Sequence, residues 1–330
     1  MQPKIVVIGG GGGSAQVLKG LMPHTPHLTG VITVTDTGRS TGKARTLGDM
    51  AAPGDLRNVI GLLAPEGSLL PDLIQFRFKA PGDVLDGMAL GNLMMVALKQ
   101  MTGDFAQAVE LLRQLAGVSV QIYPVTDANT HLCAELEDGT RAEMELNVRG
   151  LNKPRIKRLY LQDPAACAYP PVLDAIKEAD LVVMGPGSLF TTVLACLVFP
   201  DLSAAIRESK AKSVFICNTT QQPGQTDQLT VYDHVQQVTR YLGDGVLDAV
   251  VINSTVPSAE LLEAYARDGL HMLRIDEAQV QAIEADLKVK PLVMDIAEVT
   301  TGKRELWNKQ DTIRHDSAKL AALLMELATQ

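Results

Sequence analysis

Hydrophobic positions fall into two kinds of run along this chain. Short, nearly continuous β-branched stretches occupy 4–8, 31–35, 181–184, 213–217 and 249–252, and most end in glycine or a small polar residue. Runs without alternation suit strands buried on both faces, as in a parallel sheet. Between them apolar residues recur at helical spacing over 14–21, 56–63, 92–101, 105–115, 171–178, 231–242, 258–268 and 317–328. Alternating strand and helix predicts an α/β fold, a Rossmann-like, mostly parallel, doubly wound sheet. Residues 118–160 differ. VSVQIYPVT, HLCAELEDGTRAEMEL and IKRLYLQ alternate with period two, and Asp138-Gly139 between two such runs signals a hairpin. An inserted antiparallel β region is expected there, within one unit spanning 1–330.

Composition narrows the class. At ~150 residues per domain the length suggests about two, although large α/β domains reach it as one. With 46% hydrophobic and 21% charged residues, the chain is neither disordered nor collagenous nor a coiled coil. Its net charge of −8 and 4% aromatic content argue against a nucleic-acid partner. The longest apolar stretch, 181–199, is interrupted by Gly185, Pro186, Gly187 and Ser188, so no integral membrane span is expected. The apolar run at 5–8 is too short for a secretory leader, which points to the cytoplasm. Cys133, Cys167, Cys196 and Cys217 form no CxxC pair and read as buried, reduced thiols.

Candidate chemistry lies where strands end. The first strand runs into Gly9, Gly10, Gly11, Gly12 and Gly13, then Ser14 and a helix. Consecutive glycines cost backbone entropy and suit a chain that must turn sharply and approach a ligand. Amides at a helix N-terminus then face an anion, with Ser14 as N-cap or phosphate donor. Gly10, Gly12 and Ala15 also fit the dinucleotide spacing, with Asp36 ending the next strand, which keeps an NAD-dependent oxidoreductase as a rival. After Asp36 comes a second glycine- and hydroxyl-rich loop in which Arg39, Ser40, Thr41, Lys43 and Arg45 suit a phosphate. Asp36 is the candidate for a Mg²⁺ ligand or general base. Asp55 is the second candidate, although it also stands where it would cap a helix. Arg57 and Asn58 follow it, and Asn92 opens a further helix.

The second half repeats this grammar. Gly185, Gly187 and Ser188 follow one strand, Asn218 and Gln221 another, and Asn253 a third. Ligands of open α/β sheets bind at the carboxyl ends of strands. No HExxH, P-loop or G-x-S-x-G motif occurs; Ser188, His234 and Asp233 could form a triad only on paper.

Taken together, KIVVIGGGGG, ITVTDTGRSTGKAR, PGDLRN, LGN, GPGSLFTT, ICNTTQQPGQT with YDHV, and IRHD resemble the gluconeogenesis factor (YvcK-type) family. That family lies within the 2-phospho-L-lactate transferase (CofD-like) superfamily. The resemblance runs from residue 4 to residue 316. It implies a nucleotide-type ligand, such as a UDP-sugar, in a regulator tied to cell shape and growth on gluconeogenic carbon. In the transferase branch it implies Mg²⁺-assisted transfer from a nucleotide diphosphate conjugate. Arg314 matches a short family motif and is a candidate phosphate contact. Asp36-Thr37 stands where the family has an acidic pair or Asp-Asn, which weakens a metal-dependent reaction. The expectation is therefore a nucleotide- or nucleotide-sugar-binding protein, with the transferase as alternative and a homodimer or a protein partner as its context.

Overall fold

The computed structural model describes residues 2–267, 269–299 and 313–330. Strands β1 (Ile5–Gly9), β2 (Leu28–Ile32), β3 (Gln121–Pro124), β7 (Leu181–Met184), β8 (Lys212–Ile216), β9 (Ala249–Asn253) and β10 (Lys290–Met294) form one sheet. Between β3 and β7 lie β4 (Leu132–Leu136), β5 (Arg141–Glu143) and β6 (Ile156–Leu161). The sheet order is β10-β9-β8-β7-β1-β2-β3, and each neighbouring pair is parallel. Every residue of β1, β7 and β9 is buried, which explains their unbroken apolar sequence. A short pair, β11 (Ala297–Val299) with β12 (Ile313–His315), is antiparallel.

Six helices of the first half set the frame: α1 (Gly11–Leu21), α2 (Arg39–Gly48), α3 (Gly54–Leu63), α4 (Leu70–Gln75), α5 (Leu90–Thr102) and α6 (Phe105–Leu115). The helix Val231–Leu242 begins with a capping box in which the Thr230 side chain accepts from the Asp233 amide and Asp233 accepts from the Thr230 amide. The last helix, Ser317–Thr329, is capped by Asp316 and packs on α1, where Gly20 admits the Ser317 carbonyl.

Several expectations shift. The second strand lies at Leu28–Ile32 rather than 31–35. Gly30 lies inside it, and an added Cβ there would stand 2.9 Å from Leu18 and 3.0 Å from Ile122, so its bareness lets α1 pack on the sheet. The stretch 118–160 is not antiparallel throughout. Its first run yields β3, a parallel edge strand whose half-exposed pattern mimics antiparallel alternation. The antiparallel sheet is β5-β4-β6. The loop read over 33–45 turns helical at Arg39 and opens α2. Gly42 lets that helix press on the Thr37 carbonyl, and tertiary contact outweighs the low helix propensity of Gly42 and Gly48. Cys167 is exposed, whereas the other three cysteines are buried.

The glycine tract is helical from Gly11 onward, three residues before Ser14, with Gly10 as an extended N-cap. Ser14 is therefore an interior first-turn residue and not the cap. A Cβ at Gly13 would stand 2.0 Å from the Pro186 carbonyl oxygen, whereas one at Gly12 meets nothing within 4 Å. Gly13→Ala should thus lower the thermal unfolding midpoint, at a cost on the order of 1–3 kcal/mol. Gly12→Ala should leave the midpoint unchanged or raise it, since alanine gains about 1 kcal/mol of helix propensity. Equal midpoints for the two variants in a calorimetric scan would contradict the packing described.

Candidate functional site

The direction of winding reverses at β1. From β1 the chain steps outward through β2 and β3, then returns to β7 on the other side of β1. Loops leaving β1 and β7 therefore part at their carboxyl ends and open a crevice. Two glycine turns frame it, 9–13 after β1 and 185–188 after β7, and they touch at Gly13 and Pro186.

A cleft of about 670 Å³ lies there. Of the residues singled out from sequence, Gly12, Gly13, Asn58, Gly187, Ser188, Asn218 and Arg314 line it. The cleft also takes in Gln16, Lys19, Leu62, Gln222 and His315, none of which is marked individually by a pattern in the sequence. Glycine amides at the start of α1, Ser188, Lys19 and Arg314 offer donors and positive charge to an anion. His315 closes the back of the wall. Its Nε2–H donates to the Cys217 carbonyl at 3.2 Å, and burial lowers its pKa to about 4, which favours the neutral ring.

A second group lies beside the glycine loop and outside the residues lining this cleft. Asp55 is half-buried, and its carboxylate accepts a hydrogen bond from the Gly11 amide. Ideal Cβ positions at Gly10 and Gly11 fall 3.0 and 2.7 Å from its oxygens. It does not cap its own helix, whose N-cap is Pro53. It caps α1 instead, and that requires the bareness of both glycines. Asp36 is half-buried and accepts from the Gly38 amide at 2.8 Å. Gly54 brings the two acids together, because its missing Cβ would meet Asp36 at 3.3 Å and Thr41 at 2.3 Å. Burial first, and then the Asp36 charge, raises the Asp55 pKa to about 7.

Glu145, from the segment between β5 and β6, joins this group unforeseen. It is 3% exposed and pairs with Arg149 at 3.3 Å, and burial raises its pKa to about 7. Its other oxygen has no partner. Arg57 is buried and donates to Gln75, which in turn bonds Asn58. Asn92 donates to Ser40 at 2.8 Å, and Arg77 also reaches Ser40. Arg57, Asn58, Asn92 and Ser40 were legible individually, but their convergence depends on helices that meet only in three dimensions.

The remaining candidates lie elsewhere. Arg39 opens α2. Lys43 is exposed and holds the Val84 carbonyl at 2.9 Å. Arg45 is buried and bonds Asn129 and the Thr130 carbonyl. Ser14 is buried facing Gly9, and Gly185 packs on the Ile216 carbonyl. Gln221 turns to the Leu229 carbonyl, and Asn253 closes its own turn with Thr255. The paper triad does not assemble: Asp233 serves Thr230, and His234 Nδ1 donates to the Thr230 carbonyl.

An acid whose pKa is raised on folding contributes most to stability when protonated, and that contribution is lost as pH climbs from about 4 to about 7. Asp55→Asn keeps a carbonyl for the Gly11 amide and removes the charge. The variant should therefore unfold a few degrees above the parent at pH 8, and the gap should close by pH 5. A gap independent of pH in scanning calorimetry would refute the charge argument.

Comparison with known proteins agrees with this fold. Residues 5–293 match the family described as 2-phospho-L-lactate transferase CofD. The gluconeogenesis factor of Bacillus subtilis is 34% identical over 326 residues, covering 99% of this chain and 98% of that protein. The gluconeogenesis factor of Listeria monocytogenes is 38% identical over 287 residues, covering 86% of this chain and 88% of that one. A crystal structure of a UPF0052 family member from Bacillus halodurans superposes with a TM-score of 0.88 at 32% identity, covering 98% of this chain and 99% of that chain. On these grounds the chain belongs to the CofD family, and within it to the gluconeogenesis factors.

Proposed function

We propose that this chain binds a nucleotide or nucleotide-sugar, such as a UDP-sugar, in the cleft between the β1 and β7 turns. In this reading it acts as a regulator of cell shape and of growth on gluconeogenic carbon. The observation that carries the reading is the pairing of two glycine turns at the switch point. Gly12, Gly13 and Gly187 bring backbone within reach of a diphosphate, with Ser188, Lys19 and Arg314 around it. Asn218, whose Oδ1 lacks a partner, would read the base or sugar. A volume of about 670 Å³ suits such a ligand. Asp36 supports this reading too: its charge acts on Asp55 and Glu145, and it is not among the cleft-lining residues that would grip a dinucleotide ribose. The regulatory reading further proposes a cytoplasmic setting, a protein partner that reads the loaded state, and a homodimer. Among the described residues no single helix is long and apolar enough to cross a membrane.

A second reading, transfer from a nucleotide diphosphate conjugate, draws on the proximity of Asp36, Asp55 and Glu145 beside the same loop. Among the described residues no group of three or more His, Cys, Asp or Glu is arranged to hold a metal. Mg²⁺ would fit only with Asp36 supplying a carboxylate, and water and ligand phosphates supplying the rest, the usual division for this ion. Once bound, it would neutralise phosphate charge.

Titration calorimetry with UDP-sugars should show saturable binding that does not require Mg²⁺. Arg314→Ala and Asn218→Ala should each weaken it about tenfold or more, and the double variant more still. Unchanged affinity in the double variant would remove the cleft from consideration. Under the second reading, Asp36→Asn should abolish turnover while affinity stays within a few-fold; turnover that survives the substitution would exclude Asp36 as its general base or metal ligand.

A further inference from the structure

The loop leaving β8 carries a buried group that phosphate binding does not use. Gln222 lines the cleft, is 7% exposed, and its Oε1 meets no hydrogen-bond partner. Asn218, on the same loop, shares both features of lining and an unpartnered oxygen. The Gln222 backbone is fixed. Its amide donates to Thr226 Oγ1 at 2.7 Å, and its carbonyl accepts from the amides of Gln225 and Thr226 at 3.0 and 2.9 Å. Gln221 cannot take its place, because its side chain donates to the Leu229 carbonyl and its amide to the His271 carbonyl. The Thr219 hydroxyl already donates to the Ile313 carbonyl.

A buried amide oxygen without a donor is a standing penalty that native structures keep only for a reason. An ionised phosphate cannot be that reason, since it brings acceptors and no donor. The partner must come from the rest of the ligand. Leu62, Pro186 and Ile313 in the same lining offer an apolar surface on which a ring could lie while its edge meets the amides. Building on the nucleotide reading above, we infer that Gln222 is a specificity-determining residue. Together with Asn218 it accepts a hydrogen bond from a donor on the nucleoside portion of the ligand. That donor is an imide N–H of the base or a hydroxyl of the ribose.

The test compares the parent with Gln222→Leu, using UDP, 3-methyl-UDP, 2′-deoxy-UDP and inorganic pyrophosphate as probes in calorimetry, alongside the ligand-free unfolding midpoint. UDP affinity should fall about tenfold in the variant. Pyrophosphate affinity should stay within about twofold, because pyrophosphate has no nucleoside to read. The ligand-free midpoint should hold or rise, since an unsatisfied amide gives way to an apolar group of similar size. In the parent, weakened 3-methyl-UDP identifies the base N–H and weakened 2′-deoxy-UDP the ribose, and Gln222→Leu should erase that preference. Equal losses for UDP and pyrophosphate, or unaltered UDP affinity, would overturn the inference. So would a lowered midpoint, which would mark a structural hydrogen bond. A parent that binds pyrophosphate but prefers UDP no more strongly would end the inference and leave the phosphate cleft standing. A parent that binds neither would end both.

Discussion

The contact between two bare turns organises this molecule. Gly13 lies so close to the Pro186 carbonyl that no side chain fits between them. That approach fixes the start of α1 against the turn after β7, at the point where the sheet reverses its winding. Asp55 completes the arrangement by accepting the Gly11 amide from a neighbouring helix. A carboxylate at a helix N-terminus is favoured by the helix dipole, yet burial pushes this one toward protonation. The loop is thus held by a group whose charge is itself strained. Further glycines perform related tasks at greater distance: Gly54 admits Asp36 and Thr41, and Gly91 admits Arg57.

The consequence is a division of labour around one loop. The face toward Gly12, Gly13 and Gly187 is open and lined by donors, cations and the amide side chains of Asn218 and Gln222. Beside it, Asp36, Asp55 and Glu145 gather with Arg57 and Arg149 in electrostatic contact. The donor-lined cleft and the acidic group are adjacent but do not share a lining. A fold of this family can therefore keep a binding cleft whether or not its acids take part in a reaction.

Legibility in the sequence followed the range of the interactions. Phe105–Leu115 and Val231–Leu242 could be read to the residue, because apolar period and local caps at Asp104 and Thr230 define them. The parallel sheet was legible from its unbroken apolar strands, and the cleft from the glycines that end β1 and β7. What escaped depends on long-range contact. Asp55 looks like the cap of its own helix because Gly11 is far away in sequence. Glu145 carries no local signal, since its role arises only when the segment after β5 folds back toward Asp36. α2 is hidden by Gly42 and Gly48, whose value lies in packing. Gln221 and Gln222 are indistinguishable in a coil without a period, and only the hydrogen bonds of Gln221 decide which of them faces the cleft.

The most direct test of the central claim is a crystal structure of the chain with a UDP-sugar. The diphosphate is expected against the backbone of Gly12, Gly13 and Gly187, with Arg314 closing on it and the nucleoside along Asn218 and Gln222. A diphosphate seated among Asp36, Asp55 and Glu145, or a ligand in the groove formed by Lys4, His27, Tyr123 and Asp174, would contradict it.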